Sequence, residues 1–284
     1  MKHSIVCILA FFLCVVAARG ADQNDSSPIK YNFGIAPFSS APKLIKTHRP
    51  LADHLAAELN AQVILYTSID HERFLQEGIN GRFHIVTTPA HFAPFFVDAG
   101  FTPIVKYKNV LDFIFVVRKD GGISKAGDLK GKRVGLTDYL SLYYVVGLRW
   151  LDDHADMIGG DCTIVEEPSH AAAIASVAAK KIDATITGTP PYLIVGAEFR
   201  AQTKPLIFEA IELPSLITMA HSSLGAEAIE DIRRALYSFA KTDKGKTFFE
   251  SLNYGGYVKA NEKDIRLARE TYAPLVEELL KAER

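Results

Sequence analysis

The chain is poor in the residues that build covalent frameworks. It has three cysteines in 284 residues. Two of them, Cys7 and Cys14, lie in an N-terminal apolar run. Past that run only Cys162 is left, which excludes an intramolecular disulfide. Flanked by Asp161 and by Thr163-Ile164-Val165, Cys162 reads as a buried strand residue rather than a reactive thiol. An excess of charge of one sign is also missing: 32 basic residues face 33 acidic ones. Such a chain has no field to draw nucleic acid or an anionic membrane. No Gly-x-Ser-x-Gly elbow marks a hydrolase nucleophile. No glycine-rich phosphate loop or dinucleotide fingerprint is present, and no cofactor is implied. Asp152, Asp153, His154 and Asp156 are close in sequence, but they fall at the end of a predicted helix and read as a solvated face, not a metal site. There is no internal repeat and no low-complexity segment.

What the chain does have begins with an address. Lys2 and His3 precede an apolar run from Ile5 to Ala17, followed by Ala18-Arg19-Gly20. This pattern predicts a signal peptide over residues 1–20 and a periplasmic mature protein. The run is too short for the roughly 20 residues of a membrane span. Leu13 before Cys14 is not the small residue that lipoprotein processing uses. Removing the signal takes away Lys2 and Arg19 and no acid, leaving a net charge of −3. Asp22 to Pro28 is polar and serine-rich, so residues 21–28 read as a disordered lead-in. The mature chain is expected to be a monomer that does not insert in the membrane.

Strands and helices then alternate. Strands are predicted at Ile29–Ala36, Gln62–Tyr66, Phe83–Thr87, Phe101–Tyr107 and Leu111–Val117. Helices are predicted at Leu44–Leu59, His71–Gly78 and Pro89–Ala99. A second cycle has strands at Arg133–Leu136, Thr163–Glu166 and Ala184–Thr187. Its helices fall at Lys125–Leu129, Leu142–His154, Ser169–Ala179 and Pro190–Glu198. Strands at Leu206–Ala210 and Leu216–Ala220 and long helices at Ala226–Lys241 and Asn261–Ala282 complete the chain. This order predicts an α/β protein of two lobes, each a mostly parallel sheet covered by helices. Residues 29–117 and 206–284 form lobe one, and 118–205 form lobe two. The crossings near Val117–Lys119 and Thr203–Leu206 make a hinge for closure around a ligand.

Ligands of open α/β sheets bind beyond the carboxyl ends of strands, at helix N-termini. That rule nominates five turns: Pro37 to Ser40, Thr87 to His91, Thr137 to Tyr144, Pro168 to His170, and Thr187 to Pro190. Their candidate ligand-binding residues are Phe38, Ser39, Thr87, Thr88, His91, Asp138, Tyr139, Ser141, Tyr143, His170 and Thr187. Hydroxyls, imidazoles and aromatic rings of this kind suit a small polar ligand. Either histidine also fits a structural role. Trp150 shares a helix with Val146 and Leu151 and reads as core.

Three stretches carry a resemblance. They are HRPLADHLAAELNAQVIL (His48–Leu65), VRKDGGISKAGDLKGKRVGL (Val117–Leu136) and PSHAAAIASVAAKKIDATIT (Pro168–Thr187). Together they resemble the phosphate/phosphite/phosphonate-binding periplasmic proteins of ABC importers, in matching order over nearly the whole mature chain. The resemblance implies a type II periplasmic binding protein fold: two α/β lobes, two hinge strands and a ligand cleft. It further implies an anion held on a Ser-Thr-Ser-Gly turn at a helix start, with a histidine facing it from the next helix. His170 matches that histidine and Ser141 the first serine. Leu142, Tyr143 and Tyr144 stand where the remaining hydroxyls and the glycine are expected. Thr87 or Thr88 stands where the family has a tyrosine. A phosphonate dianion needs several donors at once, so these replacements point to a changed ligand.

The expectation is therefore a periplasmic solute-binding protein, not an enzyme. It would capture a small polar solute or oxyanion by lobe closure and deliver it to an ABC transporter permease. The alternative is a subunit of the same fold that presents its ligand to a membrane histidine kinase or cyclase. An enzyme would need an acid/base pair in the cleft, for which Asp138 with His170 is the candidate.

Overall fold

A computed structural model describes residues 29–109, 112–158, 161–208 and 213–282. The expected signal peptide and lead-in lie outside the described residues.

Lobe one opens with β1 (Lys30–Ile35), α1 (Ala41–Glu58), β2 (Gln62–Tyr66), α2 (His71–Ile79) and β3 (Ile85–Pro89). A 3-10 turn at Ala90–Phe92 leads to α3 (Ala93–Asp98) and β4 (Phe101–Tyr107). Lobe two holds β5 (Ile114–Arg118), a 3-10 turn at Ala126–Leu129, β6 (Arg133–Thr137), α4 (Leu142–Asp153) and α5 (Ala155–Ile158). It continues with β7 (Thr163–Glu167), α6 (His170–Ala178), β8 (Ala184–Thr187), α7 (Thr189–Ile194), α8 (Ala197–Gln202) and β9 (Thr203–Leu206). The chain then returns to lobe one as β10 (Leu216–His221), α9 (Gly225–Lys241), α10 (Asp243–Ser251) and β11 (Tyr257–Lys259). It ends in α11 (Glu262–Thr271) and α12 (Ala273–Ala282).

The sheet of lobe one has the order β11-β4-β10-β3-β1-β2. Its β1 pairs in parallel with β2 and β3, while β10 runs antiparallel between β3 and β4. The sheet of lobe two has the order β7-β6-β8-β5-β9. There β6 is parallel to β7 and β8, and β5 is antiparallel to β8 and β9. All five residues of β3 are buried, as expected of a strand covered on both faces. Pro205 is tolerated in β9 because that strand is an edge.

The sequence placed several elements differently. Leu111–Val117 was assigned to lobe one, yet β5 pairs with β8 and β9 inside the second sheet. An apolar run does not announce which sheet it will join, so the crossings fall before β5 and after β9. The strand expected at Leu206–Ala210 ends at Leu206, held by pairing of β9 with β5; residues 209–210 lie outside the described set. The helix expected at Pro89–Ala99 begins as strand, because Pro89 pairs with Leu216. The helix expected over Asn261–Ala282 divides at Tyr272. Pro274 has no amide to give Glu270, and its ring crowds that carbonyl. Three elements, α5, α10 and β11, were missed, and the helix expected at Pro190–Glu198 is divided into α7 and α8.

Burial follows the sheets. One apolar cluster fills the α1, α9 and α10 side of lobe one, around Phe33, Leu51, Leu55, Ile232 and Phe239. A second runs from Phe74, Phe83 and Phe96 of lobe one through Leu140 and Leu142 to Phe115, Val145 and Trp150 of lobe two. That core takes in Tyr272 and Val276 at the C-terminus. Helix α12 touches both α4 and the Ala90–Phe92 turn, so it spans the two lobes.

Candidate functional site

The cleft turns meet at the start of α4. Between β6 and α4, Asp138 adopts φ +22°, a conformation rare for a residue with a side chain. Its carboxylate compensates locally by accepting the Leu140 N–H at 3.1 Å on Oδ1. Its other oxygen accepts from His71 Nδ1 at 2.6 Å. His71 is the first residue of α2, in the opposite lobe. The next residue repeats the pattern: the Tyr139 hydroxyl donates to Glu72 Oε2 at 2.5 Å. The third does too, since Leu140 O accepts from His91 Nε2 at 3.0 Å. Three consecutive residues of lobe two are thus bonded to lobe one.

Ser141 caps α4. Its hydroxyl accepts the Tyr144 N–H at 3.2 Å and donates to Thr137 O at 3.2 Å. Both directions of that hydroxyl are therefore in use, and Leu142 after it is buried. Tyr143 turns toward a second group. Its ring stands edge-on to His170 at 5.3 Å. A Cβ on Gly188 would fall 2.1 Å from its hydroxyl oxygen, so glycine is what allows this approach. Burial raises the Tyr143 pKa well above the usual phenol value, with Tyr254 and Asp112 adding to the effect. Tyr254 of lobe one has a hydroxyl that accepts from Ser215 Oγ at 3.0 Å. Asp112 Oδ2 accepts the Thr189 N–H at 3.2 Å at the start of α7.

His91 and His170 are held neutral. Burial pushes the His91 pKa down to about 3, with His71 contributing. Burial, then His71, lowers His170 to about 4. His170 Nδ1 bonds Thr187 Oγ1 at 3.0 Å. His91 Nδ1 is buried without a hydrogen-bond partner among the described residues. Burial alone would raise the Asp138 carboxyl. The hydrogen bond and charge of His71, with the turn amide, outweigh it and hold Asp138 below the usual carboxylate range.

Of the residues nominated by sequence, Asp138, Tyr139, His91, Tyr143, His170 and Thr187 come together in this way. Ser141 is present but occupied by its own turn. Thr87 and Thr88 are fully buried; Thr87 Oγ1 bonds Thr218 Oγ1 at 2.9 Å and Thr88 Oγ1 donates to Pro89 O at 3.4 Å. Phe38 is 38% exposed on the lobe-one rim, edge-on to His48, with Ser39 beside it. Among the described residues no hydrogen bond joins these two to the Asp138–Tyr143 turn. Asp138 and His170 are not bonded to each other: Asp138 takes His71 and His170 takes Thr187.

Sequence reasoning missed His71, Glu72, Asp112, Ser215 and Tyr254. The first two follow a strand-to-helix turn, Thr67 to Asp70, of the kind the strand-end rule nominates. Asp112, Ser215 and Tyr254 lie on connections and carry no local signal. None of the turns 36–40, 66–72, 87–91, 137–144, 167–170 and 187–190 contains lysine or arginine. Among the described residues no group of three or more His, Cys, Asp or Glu is placed to hold a metal ion. Asp153 instead pairs with Arg149, and His154 donates to Trp150 O. Trp150 is core, packed on Phe115 and Phe208.

The profile of the family described as "ABC transporter, phosphonate, periplasmic substrate-binding protein" matches residues 33–265. The chain belongs to that family. Its members are transport binding proteins, which capture a small ligand and work with a permease. Among solved structures, PhnD1 of Prochlorococcus marinus in complex with methylphosphonate superposes with a TM-score of 0.74 at 16% identity, covering 88% of this chain and 99% of that one. A protein of Xanthomonas citri bound to chloride gives 0.72 at 15% identity, covering 89% and 99%. A binding-protein component of an ABC phosphonate transporter from Pseudomonas aeruginosa gives 0.70 at 16%, covering 90% and 95%. These likenesses establish the type II periplasmic binding protein fold. No curated protein matches the sequence. Among the described residues no helix is long and apolar enough to cross a membrane.

Proposed function

We propose that this chain, exported through a cleaved signal peptide, captures a small polar solute between its lobes for an ABC importer, and that its ligand differs from the phosphonate dianion. One observation carries the second half. At the helix start where the resemblance expects several free donors, the Ser141 hydroxyl is tied to its own turn and Leu142 supplies none. A doubly charged oxyanion would meet few donors and no cationic Lys or Arg on the cleft turns. Moving such a charge from water without partners costs several kcal/mol. A singly charged oxyanion, a neutral polar solute or a small amine suits the tyrosine hydroxyls and carboxylates better. The sensing role differs only in its docking partner, and no cleft residue favours it.

A thermal-shift screen tests this reading, since a ligand that binds only the folded state raises the melting temperature. The panel holds phosphonates, phosphite, sulfonates, other oxyanions, amines and vitamin precursors. A solute outside the phosphonates is expected to give the largest rise. A large rise with phosphonates alone would refute the changed-ligand reading.

A further inference from the structure

The cleft turn already holds an anion, and it is part of the chain. Asp138 lies in the turn that leads into a 12-residue helix, three residues ahead of its cap Ser141, and negative charge is favoured near such a helix start. Its carboxylate takes the Leu140 N–H of that turn and the imidazole of His71 from the other lobe. These are the kinds of group, a turn amide and a histidine, that would receive a solute anion. The backbone supports the placement: Asp138 keeps φ +22° to aim its side chain back over its own turn. The flanking bonds, Tyr139 to Glu72 and His91 to Leu140, draw the same turn against lobe one. Glu72 and Asp112 add negative charge nearby, and the cleft turns supply no lysine or arginine to balance it.

We propose that Asp138 is a specificity-determining residue that acts as a built-in occupant of the anion seat: bonded to His71, it excludes doubly charged oxyanions and holds the lobes together before solute binds. This rests on the reading of the cleft as the solute site. A solute that reaches the turn amides must displace the carboxylate or accept its repulsion. A doubly charged anion suffers twice the repulsion of a singly charged one. Closure, which relatives of this architecture would draw from a bound ligand, is here drawn from the chain's own side chains. The affinity of any ligand is then lowered by the work of parting Asp138 from His71.

Two measurements on the full mature protein test this. Small-angle X-ray scattering without ligand reads closure through the radius of gyration. Calorimetry with methylphosphonate, and separately with inorganic phosphate, reads the seat. Asp138→Asn is expected to raise the radius of gyration and to bind methylphosphonate at least tenfold more tightly than the parent. His71→Gln leaves the carboxylate in place, so it is expected to raise the radius of gyration without that gain. An unchanged radius of gyration in both variants overturns the proposal. So does the absence of any gain in Asp138→Asn, including no binding by either protein. Tight methylphosphonate binding by the parent would sink the changed-ligand reading instead. The tenfold comparison and the scattering would still decide the role of Asp138.

Discussion

Helices α4 and α6 start alike and serve differently. Each is capped by a serine whose oxygen accepts the N–H three residues on, Ser141 from Tyr144 and Ser169 from Ala172, both at 3.2 Å. At α6 the next residue, His170, turns to Thr187 of its own lobe. At α4 the residues before the cap, Asp138 to Leu140, all reach across to lobe one. Equal capping chemistry therefore sets helix stability, while the three residues ahead of the cap decide whether the helix start belongs to one lobe or to the contact between two.

The largest expected effect separates these roles through packing. Leu140 is fully buried in the cluster that joins the lobes. Leu140→Ala should cost about 2–5 kcal/mol in denaturant unfolding, whereas Ala172→Gly, at a half-buried position of α6, should cost about 1 kcal/mol.

Acid should weaken both helix starts. His48, His91 and His170 have folded pKa values of about 4, 3 and 4, lowered in each case first by burial. Above about pH 6.5, folded and unfolded chains both carry them neutral. As pH falls from there toward 4, the unfolded chain takes up protons that the folded chain refuses, and stability drops with pH. The loss is on the order of 3 kcal/mol for His170 across that window, at about 1.4 kcal/mol per unit. Melting temperature followed from pH 7.5 to 4 should show the decline, and His170→Gln should flatten it. A pH-independent melting temperature would mean these rings are not buried neutral. Asp138 stabilises the fold throughout this window and loses that contribution only below it, as pH falls past the ordinary aspartate value toward its lowered folded one.

Ser141→Ala should cost slightly more than Ser169→Ala. Each loses a cap worth about 1 kcal/mol, but Ser141 also loses its bond to Thr137 O. Chemical denaturation of the two variants side by side reads the difference. The smallest effect belongs to Arg149→Ala. It removes an exposed i,i+4 pair with Asp153 at the far end of α4, worth about 0.3–0.5 kcal/mol.

Two lobes and most of their strands were legible because alternating apolar runs and turn residues leave a strong periodic signal. Lobe membership of β5 was not, since pairing with β8 and β9 is a long-range event. Pro274 was visible in the sequence, yet it was read through as continuous helix. In the site, Asp138, Tyr143 and His170 followed from the strand-end rule. The cross-lobe partner of Asp138 did not: His71 lies 67 residues away in sequence. Ser141 illustrates the opposite limit. Its position was legible, but a hydroxyl already bonded to its own turn looks the same in sequence as one free to bind.

The pairing of β5 with β9 has a mechanical meaning. Phe115 sits opposite Leu206 in adjacent strands, so the two connections between the lobes leave lobe two about 5 Å apart. Lobe two therefore turns about one small region, and α12, packed on α4 as well as on the Ala90–Phe92 turn, must move with it or part from it. Distances between spectroscopic labels on opposite rims follow that movement.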